Sequence, residues 1–345
     1  MGCPSLSTAK EPVLTDIDES YLDFYQGPES DHFTGTHFFN PWNPKGKKGF
    51  KDVIKWRMES TRKIWPEWVE MPLRPALLPH INGVKITYIG HATFLLQLNR
   101  INILVDPVFS HRANPFSYAG PKRVTKPFIP LENLPKIDFV FVSHNHYDHM
   151  DLPSLAWLAR NHQPTVITPL GNPRLIKPCI EKCGIIALDW HQSTPIGSGA
   201  TLTVTPSQHW SRRGLNDINR DLWGGFVLKT AGGRNIYYCG DSGFHADMFK
   251  DIRQRHGIFD LSLIPIGTYE PRWFMSYSHM SPDEAAQVHD ILESKQSMGF
   301  HFETFQLADE PFEAPRNHLA EALVKRNIDA QKFVAPVPGD FIEFA

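Results

Sequence analysis

His144-Asn-His146-Tyr-Asp148-His149 places three imidazoles and a carboxylate within six residues. The run before it, Ile137-Asp-Phe-Val-Phe-Val142, is rich in β-branched and aromatic residues and reads as a buried strand. The cluster therefore sits on a loop leaving that strand. A loop can turn several side chains toward one point, whereas a strand alternates them between two faces. Imidazole and carboxylate together suit zinc or a related first-row metal. The absence of cysteine from the cluster argues against a closed structural site. A polar surface turn rich in histidine is the plain alternative, and the dense spacing favours the metal.

Further ligands are expected where other strands end. His209 follows the run Leu202 to Thr205, and Asp241 follows Asn235 to Tyr238 inside Cys239-Gly-Asp241-Ser-Gly243, where glycine lets the backbone turn sharply. His301 follows Ser297 to Phe300, and His279 lies in Tyr277-Ser-His279-Met-Ser. Singly, each is weak: a lone histidine at a strand end is more often a hydrogen-bonded structural residue, and an Asp between glycines is usually an Asx-turn. Together they fall after β-runs on one side of the expected sheet.

Strands are also read at Lys85 to Ile89, Ile101 to Val105, Thr165 to Thr168, Gly225 to Leu228 and Leu261 to Ile264. The clearest helix opens at Ser281, with Pro282 in its first turn and Glu284 three residues on, a capping box, and runs to Leu292. Others are expected near Leu152–Asn161 and Pro315–Lys325. Residues 1–45, rich in Pro, Asp, Ser and Gly with scattered aromatics such as Tyr21, Phe33 and Trp42, read as an extended arm lying on the body. Residues 46–80 form a basic amphipathic segment on or near the catalytic domain, which spans 81–345. Between 45 and 63 stand eight Lys or Arg (Lys45, Lys47, Lys48, Lys51, Lys55, Arg57, Arg62, Lys63) against Asp52 and Glu59, interleaved with Phe50, Val53, Ile54, Trp56 and Met58. Such a segment either lies in a membrane interface or packs its apolar side on the domain.

The 345 residues can bury a large core, and 41% apolar and 21% charged residues with net charge −2 describe a soluble globular chain. That balance gives no general attraction to nucleic acid, so no nucleic-acid partner is expected. No apolar run reaches the length of a membrane span and no signal-peptide core is seen, so a cytoplasmic or peripheral membrane location is expected. Cys3, Cys179, Cys183 and Cys239 are too few for a disulfide framework, and Cys179 and Cys183 read as two buried thiols on one helix face. Met1-Gly2-Cys3 is similar to an acylated start, but Leu6 stands where Ser or Thr is needed, so an ordinary chain end or cloning remnant is expected.

The ordered pattern of H-x-H-x-D-H, His, G-D-S-G and His resembles the metallo-β-lactamase superfamily. Asn40-Pro-Trp42, Ile89-Gly-His-Ala-Thr93, Asp106-Pro-Val-Phe-Ser110, Gly120-Pro-Lys-Arg123, Thr205-Pro-Ser-Gln-His-Trp210, Pro265-Ile-Gly267 and Tyr269-Glu-Pro-Arg-Trp-Phe-Met275 narrow it. From about residue 38 onward the chain resembles the N-acyl-phosphatidylethanolamine-hydrolysing phospholipase D family. That resemblance implies an α/β fold, the αβ/βα four-layer sandwich of two central mixed β-sheets flanked by helices. It implies one zinc on His144, His146 and His209, a second on Asp148, His149 and His301, and Asp241 bridging both; another first-row divalent metal is the alternative. Asp106 would steer a ligand imidazole through its N–H. His279 would contact substrate or leaving group and donate or relay a proton, with Asp148 and Asp241 completing the catalytic set. His91, Gln208, Tyr269 and Glu303 would line the pocket.

The implied reaction is cleavage of a glycerophospholipid by a metal-bridging hydroxide, releasing N-acylethanolamine and phosphatidic acid. The expected partners are a phospholipid substrate and a membrane surface met through residues 45–65; a homodimer is left open. Two departures bear on substrate choice. Ser278 stands before His279 where the mammalian enzyme carries a longer amide, and Glu303 stands where glycine is expected, facing solvent or narrowing the site. The alternatives are hydrolysis of a soluble phosphodiester or lactone, which a polar pocket would favour over apolar walls of Tyr269, Trp273, Phe274 and Met275, and a non-catalytic membrane-binding module. The module would show a lost ligand, and none of the seven positions is lost.

Overall fold

The computed structural model describes residues 23–43, 48–71, 77–116 and 118–344, with backbone alone at Phe50. Met1-Gly2-Cys3, Leu6, Tyr21, Lys45 and Lys47 lie outside the described residues. In chain order the strands are β1 (Val84–Gly90), β2 (Thr93–Leu98), β3 (Ile101–Val105), β4 (Phe139–Phe141), β5 (Thr165–Pro169), β6 (Ile185–Leu188) and β7 (Ser193–Pro195). There follow β8 (Thr201–Thr205), β9 (Gly225–Lys229), β10 (Asn235–Tyr238), β11 (Leu261–Pro265), β12 (Gln296–Phe300), β13 (Phe333–Val334) and β14 (Phe341–Phe344). The helices are α1 (Phe50–Glu59), α2 (Leu152–Asn161), α3 (Pro173–Ile176), α4 (Ala246–His256), α5 (Arg272–Met275), α6 (Pro282–Ile291) and α7 (Ala314–Arg326).

One sheet runs β14-β1-β2-β3-β4-β5-β6 and the other β13-β12-β11-β10-β9-β8-β7. In each, four consecutive strands pair in parallel, β3 to β6 and β10 to β13. Strands buried on both faces need apolar residues at every position, and the side chains then alternate between layers. Ile103 and Val105 enter the core between the sheets, while Leu104 packs outward against Leu155 and Leu158 of α2. Phe226 and Leu228 of β9 likewise point between the sheets, while Val227 faces the outer layer built from Met248, Phe249, Ala285, Val288, Leu319 and Leu323 of α4, α6 and α7. The result is the four-layer sandwich.

The α6 capping box forms: Ser281 Oγ accepts from Glu284 N, and Glu284 Oε2 accepts from Ser281 N at 2.7 Å. The two thiols do not share a helix. Cys179 ends a short 3₁₀ turn, and Cys183 lies beyond the break that Pro178 and Ile180 impose; both are half-buried. In the described part of the arm, Phe33 and Phe38 are buried in the inter-sheet core, His32 stacks on Trp190 and Trp42 tilts against the same indole.

Candidate metal centre

Parallel strands end on one side of each sheet, and the loops leaving those ends meet. Asp106 follows β3, the His144–His149 loop follows β4, His209 follows β8, Asp241 follows β10, Thr268 follows β11 and His301 follows β12. The β1–β2 turn adds His91, and the loop between α5 and α6 adds His279. A Cβ on Gly267 would collide with the His301 carbonyl, and one on Gly243 with the Tyr277 carbonyl, so glycine at both positions lets these loops close. His91, Asp106, Thr268 and His301 adopt left-handed backbone, with φ of 55°, 39°, 65° and 67°. Such conformations cost about 1–3 kcal/mol each in non-glycine residues and gather where the surroundings over-determine them.

Four overlapping groups of ligand atoms result, each within 4.8 Å of one another: first His144, His146 and His209, second His91, Asp148, His149 and His301, and two more that include Asp241, one with His144 and His149 and one with His209 and His279. In the first, His146 Nδ1 lies 2.9 Å from His144 Nε2 and 3.1 Å from His209 Nε2. In the second, Asp148 Oδ2 lies 3.1 Å from both His91 Nε2 and His301 Nε2, and 3.5 Å from His149 Nε2. Asp241 Oδ2 stands between them, 3.1 Å from His301 Nε2, 3.2 Å from His149 Nε2 and 3.8 Å from both His209 Nε2 and His279 Nδ1.

These residues fit a pair of divalent cations. Ligands around a tetrahedral zinc at about 2.0–2.1 Å stand roughly 3.3 Å from one another, the spacing seen here. His149 Nε2, His279 Nδ1 and Asp241 Oδ1 are buried without a hydrogen-bond partner. Leaving buried polar atoms unpaired is costly, and their concentration at one point is the signature of a group that binds there. The electrostatics agree. Burial, reinforced by neighbouring imidazoles, lowers His144 far below the usual histidine range and brings His146 to about 3. Burial likewise brings His209 to about 4, so these three are neutral and ready to ligate. Burial also opposes charge on His149 and His301, but Asp241 and Asp148 outweigh it, raising His149 far above its ordinary value and His301 to about 9. The carboxylates thus favour positive charge at this point, which a divalent cation supplies while the imidazoles stay neutral.

Asp106 is fully buried and holds the cluster from behind. Its Oδ2 lies 2.7 Å from His149 Nδ1 and accepts from Ser143 Oγ and Tyr238 OH at 2.6 Å each, while Oδ1 accepts from Ser143 N at 2.7 Å. Thr268 Oγ1 meets His301 Nδ1 at 3.1 Å, and the Ser278 carbonyl meets His209 Nδ1 at 3.0 Å, so these two rings are oriented too. At position 278, therefore, the backbone acts and the short side chain does not.

Two expected pocket residues pair elsewhere. Glu303 neither faces the metals nor lies open to solvent: Arg316 takes its carboxylate, with Nη2 to Oε2 at 3.0 Å and Nε to Oε1 at 3.2 Å. The Tyr269 hydroxyl lies 2.7 Å from His318 Nδ1. Gln208 is buried beside His209 with both side-chain amide atoms unpartnered, and its backbone ties the loop to Ser242 Oγ and Gly243 N. Phe274 and Met275 pack on Trp56 of α1, whose ring stacks on Phe274 at 4.9 Å. Sequence reading assigned no role to Ser143, Tyr238, Thr268 or Asn40. Ser143 and Tyr238 border recognised motifs, but nothing in their spacing separates them from ordinary core polar residues.

This fold and this arrangement of ligands define a metal-dependent hydrolase carrying a β-lactamase superfamily domain, whose family model matches residues 101–302. The chain is 38% identical over 276 residues to N-acyl-phosphatidylethanolamine-hydrolyzing phospholipase D 1 of Caenorhabditis elegans, a match covering 76% of each. It belongs to the N-acyl-phosphatidylethanolamine-hydrolysing phospholipase D family. The mitochondrial enzyme of that name from Saccharomyces cerevisiae is 33% identical over 244 residues, 68% of this chain and 50% of its own length. Among solved structures, isothiocyanate hydrolase from Delia radicum gut bacteria shares the fold with a TM-score of 0.60 at 20% identity, covering 76% of this chain and 99% of that one.

Proposed function

We infer that the chain is a two-metal phosphodiesterase of the phospholipase D type, hydrolysing N-acyl-phosphatidylethanolamine or a closely related glycerophospholipid to N-acylethanolamine and phosphatidic acid. The observation that carries the two-metal reading is Asp241, whose Oδ2 lies within 3.8 Å of ring nitrogens on His149, His209, His279 and His301 and so links both ligand groups. His144, His146 and His209 would hold one zinc, Asp148, His149 and His301 the other, and Asp241 both. When bound, such a pair lowers the pKa of water enough to provide a nucleophile near neutral pH and neutralises charge on the phosphoryl oxygens. The water oxygen bonds to phosphorus, the bond from phosphorus to the ethanolamine oxygen breaks, and that oxygen takes up a proton. His279 would relay the proton: its Nδ1 is unpartnered, and its ring stacks on His301 at 5.6 Å. Arg272 supports the role by donating from Nη1 to the His279 carbonyl at 2.9 Å, which steadies the loop.

The same reading gives α1 a purpose at a lipid surface. Only Trp56 of its described side chains is buried, while Met58 is 82% and Ile64, just beyond the helix, 100% exposed. Lys48, Lys51, Lys55, Arg57, Arg62 and Lys63 surround these apolar residues, a pairing of charge and hydrophobicity suited to anionic headgroups. Trp56 joins this face to Phe274, five residues before His279, which supports a lipid surface lying near the mouth of the site. Among the described residues no helix is long and apolar enough to cross a membrane.

The deciding experiment is hydrolysis of N-acyl-phosphatidylethanolamine in mixed micelles by wild type and Asp241→Asn at matched protein and zinc. Wild type should release N-acylethanolamine and phosphatidic acid, with the variant at least about a hundredfold slower. Turnover of a soluble phosphodiester or lactone with the lipid left intact would overturn the substrate and leave the metal centre standing.

A further inference from the structure

We propose that the N-terminal arm is part of the metal centre and that Asn40 is its positioning residue, fixing the His209 loop and the Tyr277–His279 loop against each other. The inference rests on the reading of His209 as a metal ligand and names what holds it. Asn40 is 1% exposed, and both its amide hydrogens are used. Nδ2 donates to the His209 carbonyl at 2.7 Å and to the Tyr277 hydroxyl at 2.8 Å, and Oδ1 accepts from Trp223 Nε1 at 3.2 Å. Its two Nδ2 partners lie 169 and 237 positions along the chain, so one side chain from outside the sandwich joins two loops that converge on Asp241. His209 is thereby held at both ends, its carbonyl by Asn40 and its ring by the Ser278 carbonyl. Ser278 follows Tyr277, so the contacts close a ring: Asn40, His209, Ser278, Tyr277 and back to Asn40.

The arm is anchored well enough to do this. Phe38 N donates to the Asn219 carbonyl at 2.8 Å and Asn219 Nδ2 to the Phe38 carbonyl at 3.2 Å, while Phe33 and Phe38 pack ring to ring at 4.5 Å. The amide chemistry is specific: an aspartate of the same shape would present an acceptor to the His209 carbonyl, so packing alone cannot replace it.

The test compares Asn40→Ala and isosteric Asn40→Asp with Phe33→Leu, which loosens the arm without touching the amide. Zinc affinity is read by competition with a chromophoric chelator, cobalt(II) substitution reports ligand geometry spectroscopically, and kinetics on the preferred substrate are measured alongside thermal unfolding. Both Asn40 variants should bind the more weakly held zinc about 10–100-fold less tightly and lose kcat to a similar degree, with KM changed less than about twofold. Phe33→Leu should lower thermal stability while leaving zinc affinity and the cobalt spectrum as in wild type. The proposal is overturned if Asn40→Asp binds zinc like wild type, or if Phe33→Leu at equal loss of stability weakens zinc as much as Asn40→Ala. Should wild type take up a single zinc, the two-metal reading falls, and the effect of Asn40 on that zinc still decides the positioning role.

Discussion

Asp106→Asn isolates the support behind the metal ligands, because the substitution changes charge and one hydrogen-bonding edge while keeping the shape. The carboxylate faces four donors: Ser143 N on Oδ1, and His149 Nδ1, Ser143 Oγ and Tyr238 OH on Oδ2. An asparagine can keep its oxygen toward the three donors on Oδ2 only by turning its NH2 toward Ser143 N–H. One buried donor then opposes another, which costs about 1–3 kcal/mol of stability in the metal-free protein. The bond to His149 also loses its charge-assisted character, roughly half its strength, so the imidazole becomes a less basic and less firmly aimed ligand. Losses of about 10–100-fold in metal affinity are typical when such a partner is removed, equivalent to about 1.4–2.7 kcal/mol. Chelator competition for zinc, run beside thermal unfolding in excess chelator, separates the two effects. Tyr238→Phe removes one donor without disturbing the other three contacts and should cost less than about tenfold in affinity. If Asp106→Asn binds zinc as tightly as wild type while unfolding earlier, Asp106 is a core residue and does not orient His149.

The face around α1 should adsorb to phosphatidylcholine–phosphatidylserine vesicles and bind pure phosphatidylcholine far more weakly; Met58→Glu combined with Ile64→Glu, both at exposed positions, should reduce adsorption about tenfold or more without lowering the melting temperature. Unchanged flotation of that double variant would remove α1 from the membrane reading. At the arm, burial lowers His32, but its contacts to Asp189 at 2.7 Å and Asp31 at 2.6 Å outweigh burial and raise it above its usual value; His191 and Tyr25 are further titratable groups nearby. A raised folded-state pKa stabilises fully below the unfolded value of about 6.5 and is lost as pH climbs through the folded one. The melting-temperature advantage of wild type over His32→Gln should therefore be greatest below about pH 6.5 and shrink above it. A difference flat across that range would mean that folding does not favour the charged form of the imidazole.

What was legible in the chain follows from how far apart the deciding contacts lie. Strands buried on both faces announce themselves locally, which is why Ile101–Val105 and Asn235–Tyr238 read with the bounds the structure has, and the Ser281 capping box marks its helix within four residues. The strand β14 pairs with β1 across more than two hundred positions, and no local pattern reports an edge strand completed from the far end of a chain. Charge-rich α4 buries only Met248, Phe249 and Ile252, too few apolar residues to stand out from its eight others. The His and Asp groups were found because metal chemistry restricts the residue types that serve. Of their supports only Asp106 was named, through the resemblance; the others were not, since a serine, a tyrosine, a threonine or an asparagine answers equally well to a turn, a cap or a core contact. Glu303 shows the converse error: a carboxylate next to a ligand position looked like part of the site, and an arginine thirteen residues away had already claimed it. The same logic gives the arm its interest. Asn40 lies outside the sandwich, yet its amide meets the carbonyl of a ligand residue, so the boundary of this metal centre is drawn by hydrogen bonds that cross the fold and not by the domain that carries the ligands.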